Sequence, residues 1–480
     1  MSSASSKSIR RLLRKHFIKF AQWAPCLLPL VLAACGGGGT TTTSTTTFTT
    51  TCNIIAAPGV TYAVPAAVYA GTPQVYTQNT PNFVPTPCSV EDTATNLPAG
   101  MSINAASGQI SGTVVTPSAV TSTVSAIASG SNGVTMTGRA TINFVFIKPV
   151  AWEVKTANHN IGSLSSPSLA TIGSTLYAVG SQLVGINYVP LMYQSIDAGA
   201  TWTNTTTPPP LPPATTSLRS FRVVSDGAAL YLVGGRTSDT TVTAAASYAY
   251  NNDVLKFTPG SPGIWSTLAV NPFASAAFPL LGGKEEMALA WDASNATMYV
   301  HGGRRGSGVG SETFRSTDHG ATWILVNSGS SFSLVNHCMM AANGNVFILG
   351  GLGFSPSGTT ITEFPQALRS SNGGSSWSVV SNVGSLSTIR PVPAKAVGAS
   401  CAATNGRLYV AGGANVLGSI SYTGDVLQSV DNGVTWNLDP VSTIVGQRAF
   451  HGMAALSGKL VIFGGENATS PVTSVVLGTP

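Results

Sequence analysis

The sequence predicts an all-β protein whose larger part is a six-bladed β-propeller. Three observations carry that expectation. An eight-residue pattern, Ser-x-Asp-x-Gly-x-Thr-Trp, occurs at Ser195 to Trp202, Ser316 to Trp323 and Ser429 to Trp436; a worn copy from Ser370 to Trp377 has Asn372 for Asp and Ser376 for Thr. Six apolar runs end in Gly-Gly or its remnant, with leading glycines at 180, 234, 302, 350, 412 and 464. Charged residues make up only 8% of the 480, against 52 Gly and 29 Pro. No sustained helical periodicity follows residue 35, as suits a chain of short strands and many turns.

The eight-residue pattern is a turn with a mechanism. Asp197, Asp318 and Asp431 can each bond backbone N–H groups of their own tight turn. Gly199, Gly320 and Gly433 supply backbone angles that a side chain forbids. Trp202, Trp323 and Trp436 open the next strand and offer a large apolar surface to a neighbouring sheet. A generic Asp-x-Gly hairpin accounts for one copy but not for three at the same spacing. The pattern resembles the Asp box of sialidases and related propellers, which sits between the third and fourth strands of a blade.

The net charge of +6 is concentrated at the N-terminus. Lys7, Arg10, Arg11, Arg14, Lys15 and Lys19 lie in the first 34 residues without an acid, leaving 17 cations against 17 acids in the rest. That balance gives no electrostatic case for nucleic acid. Residues 1–34 have a signal-peptide layout, a basic n-region followed by an apolar stretch. The stretch is short and broken by Pro25 and Pro29, which argues against a membrane-spanning helix. The residues after Arg10-Arg11 fit twin-Arg export poorly. Leu32-Ala33-Ala34-Cys35-Gly36 resembles the lipobox of bacterial lipoproteins. The resemblance implies acylation of Cys35, anchorage in the lipid bilayer of the cell envelope and, with Gly36 next, the outer membrane; it leaves the periplasmic and surface sides both open. Residues 35–51, Cys35 with a Gly/Thr-rich run, read as a flexible tether.

Residues 52–148 show short β-type runs between turn signals. Leu97-Pro98-Ala99-Gly100-Met101 and Gly108-Gln109-Ile110-Ser111-Gly112-Thr113 flank an Asn-x-x-Ser-Gly turn. They resemble the Ig-like, cadherin-like modules of bacterial surface proteins, which implies a β-sandwich acting as a spacer. Alternation in Val120 to Ile127 and Ala140 to Ile147 supplies later strands. Glu91 and Asp92 are too few acids for an inter-module calcium site. Cys52 and Cys88 are disulfide candidates in an oxidising compartment.

Residues 149–480 repeat at the spacing of propeller blades. The strands ending in Gly-Gly, each followed by a loop, a third strand and a fourth starting at Trp, resemble kelch repeats. The blade tryptophans are 202, 265, 323, 377 and 436. The sixth Gly-Gly unit has none after it, and Ala151-Trp152-Glu153-Val154 is the strand that completes it, closing the ring and removing open sheet edges. Blade two has Pro-Gly-Ser-Pro-Gly instead of the Asp turn.

In such a ring the Asp turns lie on one face and the segments after Gly-Gly on the other: 181–193, 236–252, 304–312, 352–367, 414–424 and 466–473. Binding concentrates in such loops. The candidates are Arg236, Arg304, Arg305 and Glu466 directly after Gly-Gly. Arg219, Arg222, Lys284, Glu285, Glu286, Asn336, His337, Lys395, Arg448 and His451 come near the start of the innermost strands. Tyr188, Tyr193, Tyr248, Tyr250 and Tyr422 can stack on a flat ligand. Arginine with aromatics at a propeller mouth suits a carboxylate-bearing sugar or a peptide. The plainer alternative for each residue is a solvated rim or an inter-blade bond. Arg315 and Arg369 occupy one repeat position, before the turn Ser, and read as surface; Arg407 and Lys459 fall on the opposite face. Cys338 and Cys401 lie on innermost strands of blades four and five, as core thiols or a cross-blade disulfide. Trp291 is expected to pack within blade three.

Enzyme readings find less support. Sialidases need an arginine triad, a Tyr–Glu pair and an Asp; no Arg-Ile-Pro opens the propeller, and Ile389-Arg390-Pro391 has the wrong order and blade. Galactose-oxidase-like copper chemistry needs clustered ligands, and His159, His301, His319, His337 and His451 are scattered without ligand spacing. No Gly-x-Ser-x-Gly elbow supports a serine hydrolase. No metal or cofactor is expected. The expected role is a lipid-anchored envelope protein whose propeller loop face binds a glycan or a protein; the alternative is a glycosidase of sialidase type.

Overall fold

The computed structural model describes residues 59–79, 89–131, 133–213, 215–237, 250–270, 272–273, 284–305, 308–329, 332–354, 361–364, 366–382 and 397–480. The signal segment with Cys35, the tether, Cys52, Cys88, Tyr248, residues 389–391 and Lys395 lie outside them. Strands dominate the described residues, with one 3-10 turn at Ser442–Val445.

Residues 59–147 form two packed sheets. Ser118–Ser129 and Thr135–Ile147 pair along their length, with Ser89–Thr95 on one side and Val68–Tyr69, in parallel, on the other. Gln74–Tyr76, Ile110–Gly112 and Met101–Ile103 make the second sheet. Alternate residues point inward, so Val124, Ala126, Ile142, Phe144 and Phe146 meet Tyr76 and Ile110 in one core. In the Asn-x-x-Ser-Gly turn, Asn104 Oδ1 accepts the N–H groups of Ala106 and Ser107 at 2.9 and 3.1 Å.

Six four-stranded antiparallel sheets follow, here called blades one to six. Blade one contains Ser165–Ile172, Thr175–Val184, Asn187–Ser195 and Thr203–Asn204. Blades two to five begin at Arg222–Ser225, Ala288–Asp292, Cys338–Ala342 and Ser400–Thr404. Blade six takes Gly452–Leu456, Lys459–Phe463 and Val475–Thr479 from the C-terminal end, and Ala151–Thr156 as its outer strand, with Trp152 opposite Gly478. Each innermost strand lies against those of the two adjacent blades, and the series closes on itself, blade six against blade one. Core clusters fill the seams between blades: Leu169 and Ala178 of blade one pack with Val461, Phe463 and Val475 of blade six.

The Ser-x-Asp turns share one set of bonds. Ser195 Oγ donates to Asp197 at 2.8 Å and accepts the Gly199 N–H at 2.9 Å, Thr201 Oγ1 donates to Asp197 at 2.6 Å, and Trp202 Nε1 donates to Gly199 O at 3.1 Å. The copies at 316–323 and 429–436 repeat these within 0.1 Å. In the worn copy Ser370, Asn372 and Ser376 keep the polar bonds, while Trp377 Nε1 turns to Thr313 Oγ1 of blade three. Gly199 is required twice over: its φ is +93°, and a Cβ there would stand 2.7 Å from Val475 Cγ1 of blade six.

The expectation of a loop over 181–193 is corrected. Thr175–Val184 and Asn187–Ser195 form one long hairpin with only two residues at the tip. In blade two, Gly234 and Gly235 have φ of +69° and +105° and break the strand, as do the glycine pairs of blades three, four, five and six. Ser181 takes the second glycine's place in blade one, so the strand continues there. Segments 304–312, 352–367 and 414–424 also carry short strand pairs rather than open loops.

The sandwich rests on the Ser-x-Asp face of blade five. Gln428 Nε2 donates to Tyr69 Oη at 2.6 Å, and Ala67, Tyr69 and Ile147 pack with Val430. Val150 N–H donates to the buried Asp439 carboxylate at 2.8 Å. Burial pushes the Asp439 pKa up, while the Val150 and Val441 amides pull it down.

Candidate functional site

The face opposite those turns is built by one backbone device repeated round the ring. At or just before the start of each innermost strand stands a residue in the left-handed region: Ser166, Ser220, Glu286, Asn336, Gly398 and Phe450, with φ between +43° and +66°. Such angles are uncommon for any residue but glycine. They turn four backbone amides along the circumference. Glu286 N–H donates to Ser220 O, Asn336 N–H to Glu286 O, Gly398 N–H to Asn336 O and Phe450 N–H to Gly398 O, at 2.7–3.2 Å. Among the described residues no equivalent bond joins Phe450 to Ser166 or Ser166 to Ser220.

A second register sets the charged residues. The residue before the left-handed one pairs with the residue after Gly-Gly: Arg219 with Arg236, Glu285 with Arg304, Val397 with Ala414 and Ala449 with Glu466. Arg219, Arg236, Glu285 and Arg304 are thereby brought to the entrances of blades two and three, where Glu286 and Arg222 join them. Arg236 lies 3.9 Å from Glu285, and Arg304 donates to Glu286 at 3.2 Å. Arg219 covers the Tyr188 ring at 4.7 Å, and Glu286 acts electrostatically on Arg222. Among the described residues, four guanidinium groups thus gather round two carboxylates. Burial pushes the Glu285 pKa up, Glu286 adds to that, and the arginines oppose it.

Beneath this cluster is a buried ion set. Lys284 Nζ is 3.1 Å from one Glu312 oxygen, and Arg305 Nη2 is 2.8 Å from the other. Lys284 is 1% exposed, so the expectation that it serves the rim is corrected: it is a core ion paired internally. Arg305 shares its carboxylate and is half committed to the interior. Burial raises the Glu312 pKa less than Lys284 and Arg305 lower it, and the net direction is down.

Other candidates are also drawn inward. Arg448 is 2% exposed and donates to Gly464 O at 3.1 Å, Ser474 Oγ at 2.8 Å and Val445 O, clamping blade six. Burial lowers its pKa to about 10. His337 is buried with its Nε2 3.1 Å from His301 Nδ1, so one imidazole donates to the other. Burial first, then Lys284, lowers the His301 pKa to about 3; burial, then His301, holds His337 well below its usual value. Two histidines alone are not a metal centre, and among the described residues no group of three or more His, Cys, Asp or Glu can hold an ion. His451 is packed between the glycine pairs of blades five and six, where its Cε1 lies 2.7 Å from the place a Gly412 Cβ would take.

Among the described residues, two cavities open in this region. One of about 120 Å³ lies on the ring axis, lined by all six innermost strands, with Arg222, Asn336 and the linked Cys338 and Cys401 in its wall. That disulfide joins blades four and five with a Cα separation of 5.9 Å. The other, of about 280 Å³, lies at the seam of blades one and six, beside Tyr188 and Glu466. Tyr422 Oη approaches Glu466 at 3.5 Å on that side, away from the arginines. Of the remaining candidates, Tyr193 is buried in the blade one core and Tyr250 pairs with Arg236 in the backbone. Trp291 packs in blade three against the His319 ring at 5.3 Å.

Sequence reasoning found the arginines but missed their grouping with Glu285 and Glu286, the His301–His337 contact and the seam cavity. Glu285-Glu286 standing two residues before a strand, as Arg219-Ser220 does, was the available signal.

Comparison with known proteins gives two findings. Residues 46–145 match the family model described as "Putative Ig domain". Solved structures that resemble the chain include that of YjhT, with 16% identity, covering 68% of this chain and 97% of that one at a TM-score of 0.51. A likeness at that identity concerns the fold alone. No curated protein matches the chain.

Proposed function

We propose that this chain is a lipid-anchored envelope protein whose propeller loop face binds a carboxylate-bearing glycan without transforming it. The observation that carries the reading is the grouping of Arg219, Arg222, Arg236 and Arg304 at the entrances of blades two and three, beside the carboxylates of Glu285 and Glu286. Guanidinium forks match carboxylates in shape and charge. A ligand acid would add a further carboxylate to that guanidinium group. The Leu32-Ala33-Ala34-Cys35-Gly36 sequence supports the anchor, and the sandwich, resting on the opposite face, is a spacer that does not cover the arginine-bearing face.

The alternative, a sialidase-type glycosidase, asks for a Tyr–Glu pair beside the arginines. Here Tyr188 carries Arg219 on its ring, and the Tyr422–Glu466 contact belongs to blades five and six. Calorimetric titration of the purified chain with an oligogalacturonate and with its methyl ester tests the binding reading. The acid is expected to bind, more weakly as salt rises, and Arg236→Ala with Arg304→Ala to weaken it by at least about tenfold, since hydrogen bonds to charged groups are worth roughly 1.5–3 kcal/mol each. Equal affinity for acid and ester, or no effect of the double variant, contradicts it.

A further inference from the structure

We propose that the cavity between blades one and six is a subsite for a single neutral sugar ring. The inference extends the loop-face reading to a second place on the same face, one without a cation. It starts from a break in the repeat. Backbone bonds run round the mouth from Ser220 through Glu286, Asn336 and Gly398 to Phe450, and stop there. Between Phe450 and Ser166 the circumference is held open instead, and the cavity of about 280 Å³ occupies that gap.

Its walls come from the second irregularity of the repeat. Because Ser181 replaces glycine, the blade one hairpin runs on and places Gln182 and Tyr188 beside the gap. Ser181 itself is spent on Leu218 O, at 2.5 Å. Among the described residues the Gln182 amide and the Ser165 and Ser166 hydroxyls take no hydrogen-bond partner, so donors and acceptors of both kinds remain for a ligand. Phe450 and Tyr188 supply aromatic surface, and Glu466 stands at the opening. Amide, hydroxyl and aromatic groups around a small concavity are the means by which a polyhydroxylated ring is held: few polar contacts for orientation, apolar faces for area. The volume falls just below the roughly 300–1,000 Å³ of sites for larger small molecules, which limits the occupant to one ring. The side chains lining it include no Lys or Arg and one acid, Glu466, so nothing there pairs with a carboxylate and the sugar proposed is a neutral one, unlike at the arginine cluster.

The test uses saturation-transfer NMR on the full chain with the methyl glycosides of glucose, galactose, mannose and N-acetylglucosamine. None carries a carboxylate, so failure of the arginine reading leaves this result untouched. Transfer to at least one glycoside is expected. Gln182→Leu, which keeps size and removes the amide, is expected to weaken it by about 3–10-fold, in line with a lost hydrogen bond. Ser163→Tyr, on the exposed edge of the cavity, is expected to abolish it. Urea midpoints monitor folding of both variants, and the result is read from whichever folds as the native chain does. No transfer from any glycoside, or transfer undiminished in a folded variant, overturns the proposal.

Discussion

Replacing His451 by methionine should flatten the acid sensitivity of the protein without unfolding it. His451 is 4% exposed, and neither ring nitrogen has a hydrogen-bond partner among the described residues. Burial, then the Arg448 charge, lowers its pKa from 6.5 to about 3. The folded chain therefore keeps this ring neutral between pH 6.5 and about 3, while the unfolded chain protonates it. Stability from this group is complete above pH 6.5 and falls as pH drops, by about 1.4 kcal/mol per unit once the unfolded ring is mostly charged. From pH 7 to pH 5 that amounts to about 2 kcal/mol. Methionine is the substitution of choice because Met287 holds the same slot in blade three, its side chain lying against Gly234 and Gly303. Urea unfolding followed by tryptophan fluorescence at pH 7, 6 and 5 gives the comparison. His451→Met should lose about 2 kcal/mol less than the native chain across this range; His159, His301 and His337, also lowered, keep a slope in both. Parallel stability curves would refute the reasoning, because they would mean that His451 takes up its proton in the folded state.

Further perturbations test other parts of the structure. At Asp197, burial raises the pKa but bonds from Thr201 and Ser195 outweigh it and set a value of about 2, so the stability it provides is complete above about pH 4 and is lost as pH falls toward 2. Asp197→Asn should erase that part of the acid transition while keeping the turn, as Asn372 does in the worn copy, and thermal melts from pH 4 to 2 check it. Lys284→Met should cost about 3 kcal/mol, the low end for breaking a buried pair, since Arg305 still neutralises Glu312; urea titration measures it. Removing both Cys338 and Cys401 opens a link spanning 63 residues and should cost about 4 kcal/mol by the chain-entropy relation, measured against the native chain with and without reductant.

What the sequence disclosed and what it hid have separate physical causes. The Ser-x-Asp turns were legible because every bond in them joins residues within a few positions, so spacing and chemistry coincide. The Gly-Gly strand ends were legible for a similar reason, since the pairs of blades two to six have positive φ at both positions. The left-handed residues at the mouth were not: Ser166, Ser220, Glu286 and Phe450 are not residue types that favour the angle, and only their place in the repeat imposes it. The arginine cluster depends on pairings across blades, such as Arg304 with Glu286, which no local pattern encodes. Arg448, His337 and Lys284 looked like rim residues because charge and polarity favour the surface. Each is buried instead, with partners 16 to 36 residues away. The long hairpin of blade one turned on a single serine, whose consequence became visible only beside the glycine pairs of its neighbours.

The measurement that bears most directly on the account is a glycan array incubated with the purified chain and scored twice, for retained protein and for trimmed glycans by mass spectrometry. Retention on carboxylate-bearing glycans without trimming, lost in the Arg236→Ala, Arg304→Ala variant, is the predicted result. Release of terminal acidic sugars, or retention indifferent to those two arginines, would contradict a binding site at blades two and three.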